Sequence, residues 1–216
     1  GRRRALDLGM MSKHFLYVAD PMCSWCWGFS PVIDKVAETF GTVAPVRVMV
    51  GGLRPGTVHP MRGKDKDYIR DHWHHVQDAT GQPFDFAFFD QDDFVYDTEP
   101  ACRAVVTARK IDESRALPFL AHLHRAFYVD NRNTAKEGEL ADIAGEFGFD
   151  RDAFLALLTS PDMREETQGD FWFAQSSGIT GFPTLLAVED KQATLVTAGY
   201  LPWDNLAEPL AGWVAA

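Results

Sequence analysis

Two thiols, Cys23 and Cys26, spaced C-x-x-C between a strand-like run and a helix-like one, constrain this chain more than any other feature. The run before them, Phe15-Leu16-Tyr17-Val18-Ala19, is apolar and β-prone. After them, Val32, Ile33, Val36, Ala37 and Phe40 recur at helical spacing until Gly41. Cysteines so placed at a helix N-terminus can close a small disulfide ring and reopen it, and the unpaired peptide N–H groups there favour a thiolate. That is the arrangement of a redox pair. Half of a zinc site is the competing reading, but no second C-x-x-C exists to complete four ligands.

Composition narrows the class. The chain has 216 residues, 46% hydrophobic and 24% charged, enough for one good core or a core with a substantial insertion. A net charge of −10 argues against nucleic-acid or anionic-membrane partners. No apolar run is long enough to span a membrane. Gly1-Arg2-Arg3-Arg4 is basic, yet Ala5 to Lys13 offers no signal-peptide core, so residues 1–10 read as a tag or annotation remnant before a start at Met11. Without an export signal the expected compartment is the reducing cytoplasm, where a cysteine pair is catalytic more often than structural. Cys102 leaves the cysteine number odd and reads as a small buried residue.

The order of elements follows from periodicity. His14 to Asp20 and Val46 to Val50 read as parallel strands joined by the Trp27–Phe40 helix. From about Thr57 to Thr167 helical patterns dominate: a helix capped by Thr98 with Pro100 in its first turn, one with Leu120, Leu123 and Phe127 on a face, one closed by Gly148, and a short one capped by Asp150. Gly81 to Asp93 reads as an irregular aromatic loop. Thr184–Val188 and Ala193–Thr197 flank a polar turn as an antiparallel hairpin, and Leu206, Leu210 and Trp213 mark a final helix. The expected division is a sheet domain from 12–56 and 168–216, with 57–167 as an inserted helical subdomain. His72, His74 and His75 read as solvated or capping residues: neighbours on a helix point in different directions, and no further ligand has suitable spacing. No metal is expected.

With that order, three motifs resemble the DsbA-like group of thioredoxin-fold proteins: Cys23-Ser24-Trp25-Cys26 at the strand–helix junction, Pro31 five residues beyond, and Ile179-Thr180-Gly181-Phe182-Pro183-Thr184. The run Asp20 to Phe29 most resembles unexported bacterial members described as predicted disulfide isomerases. The resemblance implies an α/β thioredoxin-like fold with an inserted helical subdomain, and thiol–disulfide exchange on cysteine-containing proteins or peptides. It implies no bound cofactor, with a cellular thiol such as glutathione as redox partner. It also implies a cis Pro183 facing the cysteines, with the Phe182 backbone open to an extended substrate. Cys23, before the helix body, should be the exposed nucleophile and Cys26, a turn in, the shielded resolving thiol. Trp25 is expected at the rim of the substrate site, with Phe182 and Pro183 beside it. Asp20 is a candidate proton relay, though a turn-forming aspartate before Pro21 is the more ordinary role.

Two departures stand out. Ser24-Trp25 replaces the Pro-His of the strongly oxidising members, and Phe182 is larger than the small β-branched residue usual before the proline. The alternative enzymatic reading is a glutathione-dependent transferase or isomerase, because the insert-bearing fold also resembles kappa-class glutathione transferases and hydroxychromene-carboxylate isomerases; those usually carry Ser where this chain has Cys23 and lack a paired cysteine. A client-binding module using the aromatic rim is the non-enzymatic alternative.

Overall fold

The computed structural model describes residues 13–216, so the expectations for residues 1–10 and Met11 lie outside the described residues. Strand β1 (Lys13–Ala19) leads through Cys23 into helix α1 (Ser24–Phe40), which crosses to strand β2 (Val46–Val50). Five helices follow: α2 (Gly63–Thr80), α3 (Glu99–Ile111), α4 (Ala116–Tyr128), α5 (Glu137–Phe147) and α6 (Arg151–Leu158). Helix α7 (Pro161–Ser176) brings the chain back to strands β3 (Thr184–Glu189) and β4 (Gln192–Ala198), and α8 (Trp203–Ala215) closes it. The sheet order is β2-β1-β3-β4, with β1 parallel to β2 and both other pairs antiparallel. This is a thioredoxin-like sheet with a helical insertion between its two halves.

Local chemistry explains the boundaries. Helix α1 begins at Ser24, so Cys26 lies within its first turn and Cys23 is its N-cap. Pro31 inside α1 has no N–H for the Trp27 carbonyl, and the Gln82 side chain donates to that carbonyl instead, at 3.0 Å. Thr98 does not cap α3 as expected: the Asp97 carboxylate accepts from the Glu99 N–H at 3.1 Å, while the Thr98 hydroxyl accepts from the Arg54 N–H at 3.0 Å. Gly148 ends α5 at φ 117°, and Asp150 caps α6 through the Ala153 N–H. Asp190 and Lys191 both take positive φ in the hairpin turn, as a two-residue loop between right-twisted strands demands. Helix α7 runs to Ser176, beyond the expected boundary at 167, because Phe171 and Ala174 continue its buried face.

The aromatic segment after Gly81, expected to be irregular, is ordered in part. It folds a short 3-10 turn, Phe86–Asp90, around Trp73, whose ring centroid lies 4.6 Å from Phe89, 5.1 Å from Phe88 and 5.0 Å from Tyr128. This cluster is the core of the insertion, and Trp73 is 1% exposed within it. Fully burying one such side chain contributes roughly 2–3 kcal/mol.

Two arginines fasten the layers, one buried and one partly exposed. Arg103, 2% exposed, joins α3 to α5 and α6 by donating to Glu99, Glu137 and the Leu158 carbonyl. Arg109 of α3 grips Asp170 of α7 with two bonds of 2.7 and 3.1 Å. The same pair satisfies the outer edge of β2: Arg109 donates to the Val48 carbonyl at 3.0 Å, and Asp170 accepts from the Val50 N–H at 3.1 Å. An open sheet edge is thereby closed by side chains.

Candidate active site

The redox pair sits where β1 hands over to α1. Asp20, fully buried, shapes that turn: one carboxylate oxygen accepts from the Met22 N–H at 2.8 Å, and the other from the Leu53 N–H at 2.7 Å. Its backbone carbonyl accepts from the Cys23 N–H at 3.1 Å. The ordinary turn-forming role is thus present, and Asp20 also ties the turn to the loop after β2. Burial pushes its pKa up, against the opposing pull of these donors. Cys102 on α3 is buried as expected, but it is not merely apolar filling: its thiol donates to Asp20 at 3.3 Å.

All three cysteines are free thiols. Cys23 is 5% exposed and Cys26 fully buried, so the difference between them is in the expected direction and small. The Cys23 thiol donates to the Phe182 carbonyl at 3.6 Å, which brings the loop before β3 against the nucleophile position. The Phe182–Pro183 peptide is cis. Burial pushes the Cys26 thiol well up; the neighbouring Cys23 and the charge of Asp20 add to this, while the Asp20 backbone opposes it. Cys102 is pushed well up as well, by burial and then by Asp20. Alkylation of the reduced protein near neutral pH should therefore label Cys23 first. Peptide mass mapping checks this, and prior labelling of Cys102 would contradict the assignment.

Cys23 opens into a cleft of ≈ 320 Å³. Rings supply half of its lining residues: Trp25, Tyr68, His72, Trp73, Tyr96 and Phe182. Trp25 is half-buried rather than a free rim, packed 5.7 Å from Tyr200 and 6.1 Å from His72. Trp27 and Phe29 belong to the core. Of the histidines, His74 and His75 are exposed, as expected of solvated residues, and His72 is half-buried; His74 stacks on Phe86 at 4.1 Å, and His72 on Tyr68 at 6.3 Å. Among the described residues no group of histidine, cysteine or carboxylate side chains is arranged for a metal ion.

The Phe182 ring has its own socket. A Cβ placed on Gly51 would lie 2.0 Å from that ring, so the aromatic edge rests directly on the Gly51 backbone at the end of β2. Gly52 follows at φ 75° and leaves room for Phe171 in the same way, at 2.8 Å. Nothing in the sequence around Gly51-Gly52 points to these two distant rings. Arg54, Tyr68 and Tyr96 also went unnoticed, since nothing in local spacing links them to Cys23.

Beneath the turn lies His124, buried, with its Nδ1 2.9 Å from the Pro21 carbonyl and no partner for Nε2 among the described residues. Nδ1 must carry the proton, because a carbonyl can only accept. Burial lowers the His124 pKa from 6.5 to about 3. Between those values the unfolded chain takes up a proton that the native site refuses, so stability falls on acidification, by about 1.4 kcal/mol per pH unit below 6.5. From pH 7 to pH 5 this residue should remove about 2 kcal/mol. Urea titrations of His124→Gln should show a loss smaller by that amount; an unchanged loss would contradict the assignment.

Comparisons with known proteins agree with this geometry. A structure from Nitrosomonas europaea, provisionally described as a protein disulfide isomerase, has a TM-score of 0.88 and 36% identity, covering 94% of this chain and 98% of its own. The cytosolic disulfide reductase DsbM from Pseudomonas aeruginosa gives 0.79 and 26%, covering 94% and 100%, and has also been solved with GSH. The ClpXP adapter protein SpxH of Shouchella clausii is 24% identical over 202 residues, 90% of this chain. The chain spans 66% of that relative's length and 55% of the Bacillus subtilis one. The family model of the DSBA-like thioredoxin domain matches residues 16–211, taking in the redox pair, the helical insertion and the hairpin, and the chain belongs to that family.

Proposed function

We propose that this protein is a thiol–disulfide oxidoreductase that reduces or isomerises disulfides, with Cys23 as nucleophile and Cys26 as resolving thiol. The observation that carries this reading is the Cys23 sulfur at the foot of a cleft, 3.6 Å from the Phe182 carbonyl, with Cys26 buried behind it. The Cys23 thiolate attacks a substrate disulfide; one S–S bond breaks, a mixed disulfide forms, and the leaving half departs as a thiolate that takes up a proton. Cys26 then loses its proton and attacks the Cys23 sulfur, releasing the second half and closing the Cys23–Cys26 bond. Asp20 is the candidate acceptor for that proton, being buried, charge-coupled to Cys26 and biased by burial toward the protonated form. Trp25, Phe182 and Pro183 are the candidate substrate contacts.

Two molecules of a cellular thiol reopen the pair, and glutathione is the candidate, supported by the similarity to DsbM, a reductase solved with GSH. That similarity also supports a cytoplasmic setting. Cysteine-bearing proteins or peptides are the proposed substrates. The binding-module alternative draws support from the similarity to SpxH adapters. Equilibration in a graded series of reduced and oxidised glutathione, read by mass spectrometry, separates the two. The proposed enzyme closes a Cys23–Cys26 disulfide reversibly with a defined midpoint. Failure to form that bond at any ratio overturns the enzymatic reading.

A further inference from the structure

The cleft at Cys23 has a charge pattern at odds with the rest of the molecule. The chain carries a net charge of −10, yet no carboxylate lines this cleft, and Arg54 is its one permanently charged side chain. His72 is held toward its neutral form, first by burial and then by His75. Arg54 has no ion-pair partner among the described residues. It is held in place all the same: its guanidinium lies 5.3 Å over the Tyr96 ring, and its backbone N–H donates to Thr98 at 3.0 Å. Tyr96 in turn donates its hydroxyl to the carbonyl of Met22, the residue before Cys23. A cation is thus fixed relative to the nucleophile by one aromatic ring and one hydrogen bond.

A guanidinium held on an aromatic face with no carboxylate partner keeps its donors free for an anionic ligand, and arginine–carboxylate hydrogen bonds are among the strong ones. The volume of ≈ 320 Å³ suits a small ligand or one short extended segment of a larger one. The same cleft is lined by the rings of Trp25, Trp73 and Phe182 and by Met22, Leu53 and Ile69, which fit the uncharged part of such a ligand.

We propose that this cleft selects small disulfides whose non-reacting end carries a carboxylate, and that Arg54 binds that carboxylate. The inference rests on the thiol–disulfide reading of the same site and names its substrate class. The carboxylate is a spectator: exchange still breaks the substrate S–S bond, forms one to Cys23 and releases a thiolate that takes a proton from water.

The test compares kcat/KM for glutathione disulfide with that for hydroxyethyl disulfide, which is uncharged. Arg54→Gln should lower the ratio about five- to tenfold, mainly through KM for the anionic substrate, as a half-buried charged hydrogen bond would. Arg54→Lys should recover part of it. Arg164→Gln, on the exposed face of α7, should leave it unchanged. A second measurement needs no variant: S-methylglutathione, which lacks a free thiol, should compete with substrate, and its diethyl ester should compete about fivefold more weakly. Equal inhibition by acid and ester, or a ratio indifferent to Arg54→Gln, overturns the assignment of Arg54 while leaving the redox reading intact. Absence of turnover with both disulfides overturns that reading itself.

Discussion

Cys23→Ser should abolish disulfide exchange, lowering turnover by about a thousandfold or more, since the hydroxyl of serine cannot form the mixed disulfide on which both steps depend. Cys26→Ser should behave differently. The first attack still occurs, the resolving step is lost, and a covalent adduct accumulates on Cys23. Intact-mass spectrometry after exposure to a small disulfide distinguishes the two: an adduct on Cys26→Ser and none on Cys23→Ser. Residual turnover within tenfold of the parent protein in Cys23→Ser would show that another thiol initiates exchange, which the burial of Cys26 and Cys102 makes chemically unfavourable.

The largest effect on stability is expected at Asp170. Its carboxylate holds the Arg109 guanidinium bidentately and accepts the Val50 N–H, so one side chain joins α3, α7 and the outer edge of β2. Asp170→Ala leaves the arginine without its counter-charge and the Val50 N–H without an acceptor in a place largely closed to water. Breaking a buried pair from one side costs about 3–5 kcal/mol. Urea denaturation should show a midpoint shift of that size with little change in slope. A loss below about 1 kcal/mol would mean that solvent replaces the carboxylate. Removing both partners, as in Asp170→Leu with Arg109→Met, should recover part of the loss, because no uncompensated charge then remains.

The readable parts of the fold were those written in local periodicity. The strand before Asp20, the amphipathic helix to Phe40, the hairpin around Asp190 and Lys191, and the glycine end at Gly148 each depend on neighbours within a few residues. Thr98 was misread because the competing acceptor, Asp97, sits one residue earlier and the threonine is claimed by Arg54, 44 residues away. The aromatic stretch from Phe84 to Phe89 looked irregular because its order comes from Trp73 and Tyr128, on two other helices. The same distinction divides the site. Cys23, Cys26 and the Phe182-Pro183 dipeptide announce themselves by spacing or by family likeness. The cleft wall at Tyr68, His72 and Tyr96, and the cation at Arg54, are assembled only when α2 and the loop before α3 close over the redox turn.

The contact between Gly51 and the Phe182 ring makes two distant positions a single unit of variation. A methyl group at 51 would occupy the space of the Phe182 ring edge, at 2.0 Å, so that ring would have to leave the β2 terminus. A small residue at 182 removes the conflict and leaves a void that a side chain at 51 can fill. Changes at the two sites should therefore be epistatic: alanine at 51 should be more harmful beside phenylalanine than beside valine. Any redesign of the cleft to admit bulkier disulfides has to alter both positions together, since trimming Phe182 alone exchanges a wall for a cavity.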